Sequence, residues 1–215
     1  MKTLVSMVLA TALFAAPAFA QTKKGVKPAK KDGAAVMLKV DTEKSDVKWT
    51  GSKVLVKSSH TGHAKLKSGE VEWKDNTITK GNFVIDMNSI ANEDLKGNPK
   101  QADLEGHLKS PDFFDVQKYP EAKFVITSVK AMPNPGTVGP THEITGDLTL
   151  KGETKSVTFP ASINKLENGA EANANFKIDR TLWNVKYGSD KFFTGLGDKV
   201  IANDIEIALK IIATK

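Results

Sequence analysis

Apolar and polar residues alternate along most of the chain. Val47 and Trp49, for example, flank Lys48, and the same period of two recurs in six later segments. Together the alternating segments span residues 47–51, 83–87, 124–128, 144–150, 157–163, 172–178 and 201–211. Successive side chains of an extended strand point to opposite faces, so this period is typical of strands with one buried and one wet side. The pattern therefore predicts an all-β domain.

Turn-forming residues separate these segments. They include Lys-Asp-Asn at 74–76, Lys-Gly-Glu at 151–153 and Asn-Gly at 168–169, the last of which is a strong hairpin signal. The prolines and glycines between residues 133 and 140 exclude regular structure there. We count eight or nine strands with short connections, which favours an antiparallel barrel or a sandwich.

One segment breaks the alternation. Residues 99–108 fit a short helix, with Asn98 as its N-cap and Pro99 at its first position. We expect this helix to lie across the barrel, over an opening. A second helical turn is predicted at residues 112–116.

The N-terminus reads as an export signal. Lys2 supplies a positive charge, residues 4–14 are apolar, and Ala18-Phe19-Ala20 fits a cleavage site. The apolar run is too short for a membrane span, which needs about 20 residues. We therefore predict a signal peptide at 1–20 and a periplasmic or secreted protein without a membrane span, the alternative being a disordered or membrane-anchored N-terminus.

The positive charge is concentrated near this N-terminus. Of the formal net charge of +6, Lys2 contributes one and residues 21–33 contribute four, which leaves +1 for residues 34–215. Residues 21–35 are predicted to be a disordered, lysine-rich tail, either a solvated spacer or a segment loosely attracted to anionic surfaces. The nearly neutral domain, predicted to span 36–215, argues against nucleic-acid binding.

Signatures of catalysis or metal binding are missing from the sequence. The chain has no cysteine, which excludes disulfides and thiolate chemistry. Its four histidines (His60, His63, His107 and His142) form no metal-binding motif, and no nucleophile elbow, P-loop or dinucleotide-binding fingerprint occurs. We predict no catalytic residue, metal or cofactor.

Two long phrases carry a family resemblance. They are HLKSPDFFDVQKYPEAKF at 107–124 and GDLTLKGETKSVTFP at 146–160, supported by shorter elements such as His-Thr-Gly-His at 60–63 and Ile-Asp-Arg at 178–180. In combination they resemble the YceI-like family of secreted, polyisoprenoid-binding bacterial proteins, over nearly all of 38–213. The resemblance implies a lipocalin-like antiparallel barrel of eight or more strands with one or two short helices. It implies binding, sequestration or transport of a polyisoprenoid or fatty-chain lipid, and pairing as a homodimer, which an exposed strand edge would also favour.

The interior of such a barrel can be either filled or hollow. Eight strands enclose just enough space for packed side chains or one slender ligand. The small residues Gly51, Gly146, Ala161, Ala172, Ala174 and Ala202 fall in the inward rows. The pattern alone leaves both outcomes open, and the resemblance favours a cavity. The alternation predicts that the following residues face inward and line the lipid: Trp49, Phe83, Ile85, Phe124, Ile126, Ile144, Leu148, Phe159, Phe176, Ile205 and Ile207.

Further candidates lie at the expected mouth. Phe113 and Phe114 would point opposite ways in an extended segment, one plugging the barrel and the other packing outside. Trp183 would help to form a rim. Arg180, the only arginine, is a candidate for a phosphate head-group, the alternative being a structural salt bridge with Asp179 or another acid.

Two other functions remain open from the sequence. One is an enzyme acting on a lipid or small apolar substrate through Arg180 and a histidine at the mouth. The other is a structural or interaction module with a filled barrel.

Overall fold

A computed structural model describes residues 34–133 and 139–215. The predicted signal peptide at 1–20 lies outside the described residues, as do all but the last two residues of the predicted tail at 21–35. Residues 134–138 of the proline-rich loop are also outside them.

The described fold consists of strands, one α-helix and two 3₁₀ turns. The strands are β1 (Val36–Val40), β2 (Asp46–Ser52), β3 (Ser59–Lys74), β4 (Thr77–Asn92), β5 (Glu121–Ala131), β6 (His142–Leu150), β7 (Glu153–Leu166), β8 (Gly169–Asp179) and β9 (Asp204–Thr214). The helix α1 (Lys100–Lys109) follows β4, and the 3₁₀ turns are Arg180–Trp183 and Gly197–Lys199.

All strand pairs are antiparallel and the sheet closes on itself. Its order is β2-β9-β8-β7-β6-β5-β4-β3, and β3 returns to β2. Strands β1 and β2 share one position of the barrel: β2 pairs with the first half of β3, whereas β1 pairs with the second half, and both pair with β9. The predicted eight-stranded lipocalin-like barrel is confirmed. Closure removes from the described sheet the free strand edge that was one of the two reasons for expecting a homodimer, so pairing stays a prediction that rests on the family resemblance.

Positive backbone angles explain two of the tight turns. Asp75 and Asn76 have φ angles of 51° and 64°, and Lys151 and Gly152 have φ angles of 48° and 79°. Two successive positive φ angles give the twist that suits a two-residue hairpin.

The Asn-Gly turn differs from its prediction by one residue. Residues 167 and 168 form the turn, and Gly169 already belongs to β8. A Cβ atom on Gly169 would overlap the backbone carbonyl of Ala213 on β9. This glycine therefore permits a close approach of two strands and does not supply a turn conformation.

The helix begins one residue later than predicted. Pro99 occupies the cap position and Lys100 is the first helical residue. Asn98 still caps the end, because its Oδ1 accepts a hydrogen bond from the Lys100 backbone N–H at 2.9 Å. Leu108 is buried against the barrel, and Leu104 packs beside it.

We call the end of the barrel that carries α1 the upper end. Residues 53–58, 93–120 and 180–203 connect strands there. The β3–β4 and β7–β8 turns lie at the opposite, lower end. The described core divides in the same way, into a lower cluster that includes Val71, Phe83 and Phe159 and an upper cluster that includes Met87, Trp183 and Val185.

Candidate ligand cavity

An apolar cavity of about 300 Å³ occupies the barrel interior. Its polar lining side chains are few, and they include Ser52, Lys53, Ser58, His60 and Arg180 at the upper end. Dry apolar cavities of about 150 Å³ accept a molecule such as benzene. The interior is therefore large enough for a slender hydrocarbon chain.

The structure brings together nearly all of the residues nominated from the sequence. Those that line the cavity are Trp49, Phe83, Ile85, Phe113, Phe114, Phe124, Ile126, Ile144, Leu148, Phe159, Phe176, Ile205, Ile207 and Arg180. Those that belong to strands lie there because alternate side chains of a barrel strand face inward, whereas Phe113, Phe114 and Arg180 reach the cavity from connecting segments.

Trp183 lies elsewhere. It is 1% exposed and belongs to the upper core cluster, but it is not among the side chains that line the cavity. Its indole N–H donates a hydrogen bond to the Leu148 carbonyl at 2.9 Å. The tryptophan thus anchors the 3₁₀ turn after β8 to strand β6, and it does not form an open rim.

The prediction that Phe113 and Phe114 point to opposite sides is wrong. Both rings line the cavity, with their centroids 6.4 Å apart. The segment is not extended: the Phe113 N–H donates to the Ser110 carbonyl and the Phe114 N–H donates to the Leu108 carbonyl. This turn places both side chains in the upper core cluster, together with Leu104 and Leu108 of α1.

The small inward residues create the free space in two ways. Gly51, Ala161, Ala172, Ala174 and Ala202 line the cavity directly. Gly146 does not line it, but a Cβ atom there would overlap the Phe124 ring. Gly146 therefore lets Phe124 lie close against β6.

Aromatic rings form a continuous row inside the barrel. Phe83 and Phe124 have centroids 6.3 Å apart, Phe124 and Phe159 are 5.6 Å apart, and Phe159 stacks on Phe176 at 4.0 Å. A second aromatic group at the upper end joins His107, Phe113 and Tyr187, with His107 edge-on to both of the other rings. The four phenylalanines of the row line the cavity, and Phe113 of the second group lines it at the upper end.

Sequence reasoning missed some lining residues for which a signal was available. Leu104 and Leu108 line the cavity from α1, and Met87 and Ile90 line it from β4. The two leucines are four residues apart and so share one face of the helix that was expected to cover the barrel. Met87 continues the alternating row that begins at Phe83.

Arg180 is buried at the upper end, with an exposed fraction of 1%. Its Nε donates to the Ala202 carbonyl at 2.9 Å, Nη1 to the Val185 carbonyl at 2.7 Å, and Nη2 to the Ile201 carbonyl at 3.2 Å. Burial lowers the pKa of the guanidinium, and the negative charges of Asp179 and Asp190 act in the opposite direction.

The salt-bridge alternative for Arg180 is not what the structure shows. The neighbouring Asp179 carboxylate binds the Lys191 ammonium at 2.6 Å. Among the described residues, the polar partners of the arginine are backbone carbonyls. A guanidinium has five N–H donors, so two remain beyond these three hydrogen bonds.

Two histidines near the upper end are held by carboxylates. The His60 Nδ1 lies 2.9 Å from Asp94 Oδ2, and the His63 ring lies between Asp46 and Glu93. Burial raises the pKa of Asp94, but hydrogen bonds from the Thr61 N–H, His60 and Asn92 outweigh it and lower the pKa to about 2. No sequence motif signals these pairs, because their members are separated by 17 to 34 residues.

Within residues 34–133 and 139–215, no helix has the length and apolar character needed to cross a bilayer.

The closed antiparallel sheet and its apolar interior define the class as a hollow, lipocalin-like barrel. The YceI-like domain family matches residues 38–213, and the chain belongs to this family.

Curated relatives match over part of their length. A UPF0312 protein of Pseudomonas putida strain F1 is 39% identical over 114 residues, which cover 50% of this chain and 54% of the relative. The UPF0312 protein of strain W619 is 40% identical over 114 residues, which again cover 50% of this chain and 54% of the relative. The chain thus spans about half the length of the curated relatives it matches.

Solved structures share the fold at low identity. Burkholderia cenocepacia BcnA has a TM-score of 0.58 and 22% identity, covering 81% of this chain and 99% of its own. A polyisoprenoid binding domain from Saccharophagus degradans, implicated in plant cell wall breakdown, has a TM-score of 0.59 and 15% identity, covering 82% and 97%. These similarities support the barrel architecture.

Proposed function

We propose that the barrel binds a polyisoprenoid or another long-chain apolar lipid in its cavity and sequesters or carries it in the cell envelope. The observation that carries this proposal is the 300 Å³ apolar cavity, lined along its length by aromatic and aliphatic side chains. Family membership and the polyisoprenoid-binding neighbour of the same fold support it. The sequence-predicted signal peptide supports a periplasmic or secreted location.

The binding energy would come from apolar burial. Removing one methylene group from water contributes about 0.8 kcal/mol. A buried segment of about ten methylene groups would therefore contribute about 8 kcal/mol before the costs of association and chain ordering. The aliphatic and aromatic walls require no particular hydrogen-bonding group, which suits a featureless chain.

Arg180 is the proposed contact for a polar head-group. It lines the cavity at its upper end, and two of its N–H donors are not used by the three backbone carbonyls. Its positive charge suits a phosphate or another oxygen-rich group. In this arrangement the apolar chain extends downward from Arg180 toward Phe159 and Ile144.

The contacts of Arg180 do not favour the enzyme alternative, because this side chain is 1% exposed and donates to three backbone carbonyls. The filled-barrel alternative is weakened by the size of the cavity.

The direct test is native mass spectrometry of the protein purified from a bacterial periplasm. The expected result is a stoichiometric adduct whose extracted mass identifies a prenyl or acyl lipid. A protein that is lipid-free on purification and remains so after incubation with prenyl phosphates and fatty acids would refute the proposal.

A further inference from the structure

Exposed apolar side chains concentrate at the upper end of the barrel. Of the ten large apolar residues that are exposed in the described structure, seven lie there. They are Val54, Leu55, Val56, Leu182, Tyr187, Phe192 and Phe193, with exposed fractions from 38% to 66%. Exposed apolar groups clustered in this way mark interaction surfaces more often than scattered ones do.

Six of these residues lie on two loops, residues 53–58 and residues 186–199. The Val54 N–H donates to the Val200 carbonyl at 3.0 Å, and the Ala202 N–H donates to the Ser52 carbonyl at 2.8 Å. Lys53 and Ile201 form a β-bridge, and the Ile201 N–H donates to the Gly188 carbonyl, so residues 200–202 join the first loop to the second. We call residues 53–58 and 186–199 together the docking rim.

The docking rim is more positive than the rest of the described domain. It contains Lys53, Lys57, Lys186, Lys191 and Lys199 against Asp190 and Asp198, a net charge of +3. Residues 34–215 as a whole carry +1, so the remainder carries −2. The Lys186 ammonium also lies 4.7 Å from the centre of the Phe192 ring, so positive charge and apolar surface are interleaved.

The cavity reaches the surface at this rim. Lys53 is exposed and also lines the cavity. Ser52 at the end of β2 and Ser58 on the first loop line the cavity too, as do Ile201 and Ala202 beside the second loop. A ligand that enters or leaves by this route passes the exposed apolar residues.

We propose that the docking rim binds the surface of an anionic phospholipid bilayer. Lys57, Lys186 and Lys199 would face the lipid phosphates, whereas Lys191 pairs with Asp179. Leu55, Phe192 and Phe193 would enter the head-group region. Apolar side chains beside basic residues are the combination that holds peripheral proteins at such surfaces. The upper end of the cavity would then face the membrane. This role goes beyond lipid binding in the cavity and is tested without any prenyl lipid.

The lack of native cysteine allows a site-specific test. Full-length protein carrying Leu55→Cys or Phe193→Cys is labelled with the fluorophore NBD, whose emission rises and shifts to the blue in an apolar environment. Matched controls carry the label at Val125 and Met37, which are exposed at 48% and 54% but lie outside the rim. The lysine-rich segment 21–33 is unchanged in all four proteins, so its attraction to vesicles is common to them.

Vesicles of phosphatidylcholine with 30% phosphatidylglycerol should shift the emission at Leu55 and Phe193 but not at Val125 or Met37. Pure phosphatidylcholine should give a much smaller response. Lys57→Gln together with Lys199→Gln should weaken vesicle binding roughly thirtyfold at low salt, because two basic contacts are lost.

Equal responses at rim and control sites, or no response at the rim, would overturn the proposal. A rim shift that depends on protein concentration and occurs without vesicles would show that a second copy of the chain covers the surface instead. Native mass spectrometry of Leu55→Ser measures cavity lipid separately. Loss of vesicle binding with retained lipid would support the docking proposal, and a docking failure in lipid-loaded protein would leave the cavity proposal intact.

Discussion

Asp179 and Arg180 are adjacent in sequence but bind different partners. The aspartate accepts a hydrogen bond from the Thr181 N–H and pairs with Lys191, whereas the arginine turns into the barrel and donates to three backbone carbonyls. The Asp179 side chain forms an ion pair at the surface, whereas the Arg180 side chain holds two backbone segments together inside the barrel. We therefore expect the two charged side chains to contribute differently to stability.

Replacing Arg180 should be strongly destabilising. Arg180→Met leaves carbonyls of Val185, Ile201 and Ala202 without their buried donors, and each such loss costs about 1–3 kcal/mol. We expect the free energy of unfolding to fall by at least about 3 kcal/mol in urea titrations. The matched control is Lys191→Met, which breaks a half-exposed ion pair and should cost less than about 1 kcal/mol. Similar losses in both variants would contradict the structural role assigned to Arg180.

Neighbouring residues on β5 allow a paired test of the cavity. Ile126 lines the cavity and is 8% exposed, whereas Val125 faces solvent at 48%. Ile126→Glu should abolish lipid uptake because it places a carboxylate against the bound chain, and Leu148→Lys should do the same. Val125→Glu should bind normally. Lipid content per protein is measured after extraction, and a folded Ile126→Glu protein with normal lipid content would show that the chain binds elsewhere.

Replacing glycine by alanine should destabilise the protein at Gly146, which lies against the Phe124 ring, and stabilise it at Gly106, where space is free. Gly146→Ala should destabilise by about 1–3 kcal/mol, because its Cβ would overlap the Phe124 ring and meet the Val125 carbonyl. Gly106→Ala, on α1, meets no atom within 4 Å and should stabilise by about 0.5–1 kcal/mol. Thermal unfolding compares the two, and a neutral Gly146→Ala would mean that the ring has room to move.

Two histidines should titrate on opposite sides of the usual value. Burial lowers the pKa of His63, but hydrogen bonds and the charges of Asp46 and Glu93 outweigh it, so the pKa is raised. Burial alone lowers the pKa of His142. Their NMR titration midpoints should therefore lie above and below about 6.5, respectively. Midpoints in the reverse order would contradict the carboxylate contacts of His63 and the burial of His142.

The same shifts give stability a defined dependence on pH. The contribution of His63 is complete below its unfolded pKa of about 6.5 and is lost as the pH rises through the raised folded pKa. The contribution of His142 has the opposite sign, because stability is lost as the pH falls from about 6.5 toward the lowered pKa. His63→Gln should reduce the fall in the free energy of unfolding as the pH rises above about 6.5. Urea unfolding between pH 5 and pH 9 measures this fall.

The alternation of apolar residues was sufficient to predict the inward faces of most strands. Phe83 and Phe176 line the cavity because the side-chain period of a strand is fixed by its backbone. Residues outside the strands were harder to predict. The partners of Arg180 depend on how residues 185–202 fold back, and the direction of Phe114 depends on a turn that periodicity does not reveal.

Side-chain size alone also could not separate a hollow barrel from a filled one. Gly146 and Ala161 both fall in inward rows, yet Gly146 accommodates a neighbouring ring and Ala161 leaves open space. Which of these occurs depends on the reach of side chains on adjacent strands, and that in turn depends on strand register. The resemblance to a family supplied the information that the pattern lacked.

The sharing of one barrel position by β1 and β2 has a consequence for how the molecule is made. Strand β9 lies between this shared position and β8. It pairs with β8 on one side and with both β1 and β2 on the other. During synthesis the sheet therefore remains open until residues 204–214 have emerged. An enclosed interior does not exist before β9 is in place, so the chain can bind a ligand inside the barrel only after this strand has been made.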